Sequence, residues 1–185
     1  MKEVAVFEKV SYKQFKNDIM EYVTNRIDNC PIDAKDKAVA IEEMIEDLYN
    51  SIKLPKRATT GSAGYDFCLP LYDISIAPGD TIKIPTGIKV QIMDGWVLKL
   101  YPRSGLGFKY RLQLDNTVGI IDSDYYNSDN EGHIFAKITN DTHSMKTVKL
   151  KNGDAFMRGL FCEYGITIND ETDGVRNGGF GSTGV

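Results

Sequence analysis

The chain has 185 residues, of which 42% are hydrophobic and 26% are charged, and this composition is typical of one globular domain with a sizeable core. A net charge of -4 and a pI near 5.2 argue against a nucleic-acid-binding surface, which would need a basic face. The amino terminus is broken by charges and too short for a signal peptide, and no apolar run reaches the roughly eighteen residues of a membrane span. We therefore expect a cytoplasmic protein with neither nucleic acid nor membrane as a partner.

The amino-terminal part of the chain predicts one strand and two helices. Val4–Phe7 has the pattern of a short strand, and Ser11 followed by Gln14 has the pattern of a helix capping box. Apolar residues then recur at helical spacing in two stripes, on either side of an Asn-Cys-Pro break. The stripes are Tyr12, Phe15, Ile19, Tyr22, Val23 and Ile27, and then Ala38, Ile41, Ile45, Leu48 and Ile52. We expect these helices to pack on each other and on the domain rather than to dock a partner.

From Leu54 onward the pattern predicts short strands separated by turns. Apolar residues alternate with polar ones in four clear runs, and turn residues occur at Ala77–Asp80 and Lys151–Asp154. The runs are Thr81–Ile84, Gly87–Ile92, Val97–Tyr101 and His133–Ile138. Short strands at regular spacing indicate a mainly β domain, namely a sandwich, a jelly roll or a barrel.

The cysteines and histidines do not have the spacing of a metal site. Cys30, Cys68 and Cys162 are scattered without a Cys-x-x-Cys pair, and His133 and His143 stand ten residues apart in polar surroundings. Zinc ligation and a disulfide framework are therefore both disfavoured, and we expect free thiols in a reducing compartment.

Two segments in the first half of the β-rich region carry candidate site residues. Asp66, within Ala63–Phe67, lies at a predicted strand edge, where it can orient water around a metal ion or satisfy backbone donors. Pro102–Gly107 places Arg103 beside a hydroxyl group and two glycines in one turn, a combination that suits contact with phosphate.

Three further segments follow. Asp122 and Asp124 come directly after an apolar run, where an acid is costly unless it is paired or useful. Asp122 is therefore a candidate general base, although a strand entering an acidic hairpin would give the same pattern. Arg158 is an isolated cation in a predicted strand. The glycine-rich tail carries Arg176 and Phe180, which suit a phosphate group and a planar base.

Together and in this order, these segments resemble the five sequence motifs of the trimeric dUTPases, the deoxyuridine triphosphate nucleotidohydrolases. The resemblance extends from about Leu54 to the end of the chain. The matching segments are Ala63–Phe67, Pro102–Gly107, Asn116–Tyr125, Gly153–Phe161 and Arg176–Gly184. Five segments in sequence are a far more specific signal than any one of them.

The resemblance implies a jelly-roll or β-clip subunit in a homotrimer whose active sites are shared between subunits. It implies hydrolysis of dUTP to dUMP and pyrophosphate, a reaction that keeps uracil out of DNA and supplies dUMP. In such enzymes the carboxylate matching Asp122 activates the water that attacks the α-phosphorus. The tyrosine matching Tyr125 packs under the deoxyribose and excludes a 2′-hydroxyl group.

The resemblance also assigns the remaining site residues. The uracil edge is read by Asn116 and by the backbone of Gly119, Ile120 and Ile121, and Phe180 closes over the base. The groups that meet the phosphates are Arg103, Ser104, Gly105, Arg158, Arg176, Gly181, Ser182 and Thr183. Magnesium is implied as the cofactor, held mainly by the triphosphate and water, with Asp66 acting through the water shell.

The chain departs from the family pattern at three places. Arg158 replaces the usual glutamine, and it can strengthen phosphate binding or point elsewhere. The hairpin is lengthened over residues 126–132. The extra residues can form a lid, form a contact or have no role. The helical segment of about residues 11–52 looks like an insertion. We expect residues 1–185 to form a single domain, of which residues 174–185 are a flexible tail. We expect the insertion to lie outside the trimer and to be catalytically neutral.

Two other functions share this pattern. A dCTP deaminase, alone or combined with dUTPase activity, would have the same fold, and ammonia release from dCTP would reveal it. A regulatory interaction protein built on the dUTPase scaffold is the second alternative. The intact Asp122 favours an active hydrolase over the latter.

Overall fold

The computed structural model describes residues 2–28, 30–31 and 33–178. Its helices are α1 (Tyr12–Ile27), α2 (Ala34–Ser51), α3 (Ser104–Tyr110) and a 3-10 helix, Ser123–Asn127. In this part of the chain, no helix is long and apolar enough to cross a membrane.

The strands confirm the mainly β character expected after Leu54. Strand β1 (Ala5–Lys9) precedes the helices, and the remaining strands are β2 (Lys56–Arg57), β3 (Tyr65–Cys68), β4 (Ile74–Ile76), β5 (Thr81–Pro85), β6 (Ile88–Ile92), β7 (Trp96–Pro102), β8 (Leu112–Leu114), β9 (Gly119–Ile121), β10 (Phe135–Asn140), β11 (Val148–Leu150) and β12 (Ala155–Glu163).

The strands pair antiparallel and mostly with partners that are distant in sequence. The largest sheet has five strands in the order β2-β3-β12-β7-β9, and a second sheet has the order β5-β10-β8. Two further pairs, β1 with β6 and β4 with β11, complete the arrangement. The predicted turn at Ala77–Asp80 is present, with Gly79 at a φ of 84° and the Asp80 amide donating to the Ala77 carbonyl.

The helical stripes pack into the same core as the sheets. Phe15, Ile19 and Val23 on α1 are fully buried, as is Ile45 on α2. The second stripe is confirmed except at its start, where Ala38 is exposed. A Cβ added at Gly87, just before β6, would lie 2.4 Å from Cδ1 of Ile52. The close approach of α2 to this sheet therefore depends on glycine, and the helices are part of the domain's packing.

The predicted capping box at α1 is only half correct. The Ser11 hydroxyl accepts from the Gln14 amide at 3.1 Å, as expected, but the Gln14 side chain donates to Asp18 instead of returning to Ser11. Glu131 takes that role, because its carboxylate accepts from the Ser11 amide at 2.8 Å and from the Ser11 hydroxyl at 2.6 Å. A carboxylate supplied by a distant loop suits a helix amino terminus better than a neutral amide does.

Candidate active site

Asp122 stands where β9 ends and the 3-10 helix begins. Ile121 is buried and Ile120 is 50% exposed, so alternation along the strand directs Asp122 to the outer face of the five-stranded sheet. Its side chain is 46% exposed and forms an ion pair with Arg176. The expected cost of burying this acid beside apolar residues is therefore not incurred, because the chain turns outward immediately after Ile121.

Arg176 joins the described part of the tail to Asp122 and Asp124. Its Nη2 donates to Oδ2 of Asp122 at 2.5 Å, and its Nε donates to Oδ1 of Asp124 at 2.8 Å. The guanidinium carbon lies 5.9 Å from the centre of the Tyr125 ring. A phosphate group that binds Arg176 must therefore compete with two carboxylates.

Tyr125 is held rigidly beside these acids. Its ring is buried, its hydroxyl donates to the His133 carbonyl at 2.7 Å, and that hydroxyl accepts from Nδ2 of Asn130 at 2.9 Å. Burial raises the pKa of Tyr125 above its ordinary value, against the opposing effect of the hydrogen bond from Asn130. The tyrosine is therefore neutral at neutral pH and is fixed at its hydroxyl group by two hydrogen bonds.

A cavity of about 230 Å³ lies against this tyrosine. It is smaller than the roughly 300–1,000 Å³ of sites for drug-sized ligands, so it suits a nucleoside or a site that another chain completes. Its lining residues are Leu100, Asn116, Val118, Gly119, Ile120, Ile121, Tyr125, Phe135 and Arg176. Leu100, Val118 and Phe135 were not predicted, since their only sequence signal is an apolar place in or beside a strand.

The cavity wall formed by β7 and β9 is closely packed at a glycine. Leu100 pairs with Gly119 across the two strands, and a Cβ added at Gly119 would lie 3.0 Å from Cβ of Leu100. The loop before β9 is tight, with Thr117 at a φ of 62° and the Val118 amide donating to the Asn116 carbonyl at 2.7 Å. This turn places Asn116 and Val118 on the same cavity as Tyr125.

A second cluster joins Asp66, Arg103 and Arg158. Asp66 on β3 faces Arg158 on β12 in the strand register, and the Arg158 Nε donates to Oδ1 of Asp66 at 2.9 Å. Arg103 Nη2 lies 3.7 Å from the other carboxylate oxygen of Asp66. A Cβ at Gly64 would lie 2.4 Å from Cδ of Arg158, so that glycine makes room for the arginine stem. Of the two roles considered for Asp66, the satisfaction of backbone donors is not what its side chain does here, because it is the counter-ion of two arginines.

Ser104 and Gly105 form the exposed first turn of α3, directly after Arg103. The predicted residues thus fall into two clusters on one sheet, since β3 and β12 carry the first and β9 carries the second, with β7 between them. Phe180, Gly181, Ser182 and Thr183 lie outside the described residues.

The fold and the site together define a class: a mainly β domain with carboxylates, arginines and a small aromatic-walled cavity for a phosphorylated ligand. The dUTPase family model matches residues 50–184. The chain belongs to the dUTPase family.

Individual relatives agree with this assignment. The deoxyuridine 5′-triphosphate nucleotidohydrolase of Lactococcus lactis is 43% identical over 137 residues, which cover 72% of this chain and 89% of that protein. The crystal structure of dUTPase from Streptococcus mutans is 39% identical and superposes with a TM-score of 0.55, covering 64% of this chain and 90% of that one.

A mutant dUTPase from phage phi11 of S. aureus, whose structure shows coordination of a structural Mg(II) ion, has a TM-score of 0.54. It is 19% identical and covers 69% of this chain and 94% of that chain, so it shows likeness of fold alone. These neighbours confirm the expected dUTPase-like jelly-roll or β-clip fold. The family match begins at residue 50, so all of α1 and nearly all of α2 precede it.

Proposed function

We propose that this protein hydrolyses dUTP to dUMP and pyrophosphate, with Asp122 as the general base. The observation that carries the proposal is that Asp122 is ion-paired to Arg176, which lines one cavity together with Tyr125, in a member of the dUTPase family. The reaction would keep uracil out of DNA and supply dUMP, and we place the protein in the cytoplasm.

The chemistry begins when the triphosphate draws Arg176 away from Asp122, which frees the carboxylate to bind water. Asp122 then removes a proton from this water as its oxygen bonds to the α-phosphorus. The bond from the α-phosphorus to the oxygen that bridges to the β-phosphorus breaks, and pyrophosphate leaves. The water oxygen remains on dUMP, and the proton is released from Asp122 to solvent.

The cavity supplies selectivity for the nucleoside. We propose that uracil binds against Asn116 and the backbone of Gly119–Ile121, where a thymine methyl group has no room. The buried Tyr125 ring packs under the deoxyribose and excludes a 2′-hydroxyl group. Cytosine presents a donor where uracil accepts, so a polar backbone group would be left unpaired.

The phosphates would meet the arginines of both clusters. Arg103, with the exposed Ser104 and Gly105 at the start of α3, offers donors from one cluster, and Arg158 lies beside it. Arg176 offers donors from the other cluster. We propose that the tail from Gly181 to Thr183 adds backbone donors and that Phe180 covers the base, as the family motif implies.

A magnesium ion that arrives with the triphosphate fits this arrangement better than one held by a protein cage. Among the described residues, no group of three or more His, Cys, Asp or Glu side chains is placed to hold a metal ion, and Asp66 is bonded to arginine. We propose that phosphate oxygens and water supply most ligands, with Asp66 acting through the water shell. The bound ion would neutralise charge on the phosphates.

We propose a homotrimer whose sites are shared between subunits. Apolar side chains beside both clusters are exposed in the single chain, with Phe108 on α3 at 94% and Ile120 beside Asp122 at 50%. A neighbouring subunit would cover them and would bring the arginine cluster of one chain to the carboxylate cluster of another.

Pyrophosphate release from dUTP tests the proposal, with UTP, dTTP and dCTP assayed in parallel. We expect magnesium-dependent turnover of dUTP alone. Asp122→Asn keeps the side-chain shape but removes the base, so kcat should fall by about 10²–10⁴. Asp124→Asn is the matched control and should lose far less, because Asp124 is only the second partner of Arg176. Ammonia release from dCTP, or equal turnover of UTP, would contradict the proposal.

A further inference from the structure

We propose that Asp18, on α1, is a positioning residue for the nucleoside cavity: through buried His133 it fixes both aromatic walls, Tyr125 and Phe135. The inference rests on the proposed function. It also replaces the expectation that the helical segment is catalytically neutral.

His133 is completely buried, and both of its ring nitrogens are bonded. The Gly87 amide donates to Nε2 at 2.8 Å, so Nε2 is unprotonated and the imidazole proton is on Nδ1. Nδ1 in turn donates to Oδ2 of Asp18 at 2.5 Å. Two bonds in the ring plane, one to the sheet and one to α1, hold the imidazole in a single orientation.

The same residue touches both walls of the cavity. Its carbonyl accepts the Tyr125 hydroxyl at 2.7 Å. Its ring packs on Phe135, with ring centroids 4.5 Å apart, and Phe135 also lines the cavity. A displacement of His133 would therefore move the ring that excludes the 2′-hydroxyl group and the ring beside it.

Asp18 is well held for this purpose. Its Oδ2 accepts from Nε2 of Gln14 at 2.7 Å as well as from His133, and its side chain is 21% exposed. Burial acts to raise the pKa of Asp18, but hydrogen bonds from His133 and Gln14 and the charge of Lys83 outweigh it, so the pKa is lowered. The carboxylate is thus ionised at neutral pH and remains an acceptor.

Deletion of the helical segment would not test this inference, since Phe15, Ile19 and Val23 belong to the main core. Point variants of the full chain are required. The readout is selectivity, the ratio of kcat/KM for dUTP to kcat/KM for UTP. UTP is assayed at high enzyme concentration, and the detection limit is used as an upper bound where no turnover of UTP is seen. A change that merely lowers the folded fraction reduces both values equally and leaves this ratio unaltered.

Asp18→Ala removes the acceptor and should lower the ratio about tenfold, because a displacement of well under 1 Å at an active site is costly. Asp18→Asn should keep it within about twofold, since the amide oxygen can still accept from Nδ1. Asp18→Glu keeps charge and acceptor but adds a methylene that pushes the imidazole, and the ratio should again fall. Val23→Ala on the same helix should lower Tm and leave the ratio unchanged.

The outcomes separate the inference from the proposed function. If Asp18→Ala and Asp18→Glu both keep the wild-type ratio, or if Val23→Ala lowers it as much, Asp18 is not a positioning residue. An inactive wild-type enzyme in the dUTP assay would instead refute the proposed function. A ratio that falls in the alanine and glutamate variants and is rescued by asparagine supports the inference.

Discussion

At the scale of single residues, the pairing of Asp66 with Arg158 gives a reason for the arginine that stands where the family usually has glutamine. The Arg158 Nε uses one of the five N–H donors of its guanidinium group to bind Asp66, whose side chain is only 15% exposed. An arginine can therefore neutralise this carboxylate close to the proposed phosphate site and still present donors to phosphate.

Arg158→Gln should raise KM for dUTP about tenfold with little change in kcat, because Asp66 then repels the triphosphate. The double variant Arg158→Gln with Asp66→Asn should bring KM back to within about threefold of the wild-type value. Arg111→Gln breaks the exposed pair with Asp141 and serves as the control. Steady-state kinetics of all four proteins test this prediction. A double variant as poor as the single one would mean that the neutralisation of Asp66 is not the main contribution of Arg158 to dUTP binding.

A second residue-scale prediction concerns the Glu131 carboxylate that caps α1. Burial acts to raise its pKa, but hydrogen bonds from the Ser11 hydroxyl and amide outweigh it, so the pKa lies below its ordinary value of about 4.5. A depressed carboxyl pKa stabilises the fold above pH 4.5, and this contribution is lost as the pH falls through the folded value.

Glu131→Gln should therefore cost about 1 kcal/mol of unfolding free energy at pH 7, as for the loss of a helix cap. The difference from wild type should shrink once the pH falls below about 4.5. Urea unfolding followed by circular dichroism at several pH values measures this, with the exposed Glu21→Gln on the same helix as control. A difference that is constant down to low pH would show that the charge of Glu131 is not involved.

At the scale of elements, the segment of residues 126–132, predicted as a lengthened hairpin, is instead a loop that follows the 3-10 helix, because β9 pairs with β7 and β10 pairs with β5 and β8. This loop is a contact between the site and the helices. Glu131 bonds to Ser11 at the start of α1, and the Tyr126 hydroxyl donates to Glu8 on β1 at 2.6 Å. The end of the loop packs closely against the residue that precedes it, because a Cβ added at Gly132 would lie 2.7 Å from the Tyr125 carbonyl oxygen. The loop therefore packs against the backbone of Tyr125.

Gly132→Ala tests this packing. Gly132 has a φ of 68°, and the added methyl group would also meet the backbone of Tyr126 at 2.7 Å, so Tyr125 must move. Gly79→Ala is a matched control, since its φ is 84° but no atom lies within 4 Å of the added Cβ. The control should cost about 1–2 kcal/mol of unfolding free energy from the φ strain alone. Gly132→Ala should cost more and should also lower selectivity for dUTP over UTP, and equal effects of the two variants would contradict the packing argument.

At the scale of the whole molecule, the tail and the proposed trimer can be separated experimentally. The described tail reaches the hairpin through Arg176 and through the Asn177 carbonyl, which accepts from the Asp129 amide at 3.4 Å. None of these tail contacts involves Phe108 or Ile120, the exposed residues near which we propose the trimer contacts.

Truncation after Val175 should therefore leave the number of subunits, measured by light scattering, unchanged. It should reduce kcat/KM for dUTP by at least about 10²-fold, because it removes phosphate donors and the residues that close over the base. Truncation after Asn177 keeps Arg176 and should retain more activity. If the shorter protein turned over dUTP at the wild-type rate, the tail would have no catalytic role.

Local pattern was sufficient for α1 and α2, for most strands and for the family motifs. It missed α3, which begins within the predicted turn Pro102–Gly107, and the 3-10 helix Ser123–Asn127. Helical and strand periodicity are properties of neighbouring residues, and Tyr12–Ile27 and Ile88–Ile92 form close to where they were predicted. The order of five short motifs likewise needs no knowledge of contacts. Tyr125 was predicted as a site residue on that ground alone. Asp122 was predicted both on that ground and from its place directly after an apolar run.

Only the tertiary structure decided which partners these residues have. Asp18 and His133 are 115 residues apart in sequence, Ser11 and Glu131 are 120 apart, and Asp66 and Arg158 are 92 apart. Such pairs depend on which strands become neighbours and on which glycines permit close approach, and no local pattern specifies either. For the same reason Phe135 was seen only as a strand residue, although packing makes it a wall of the nucleoside cavity.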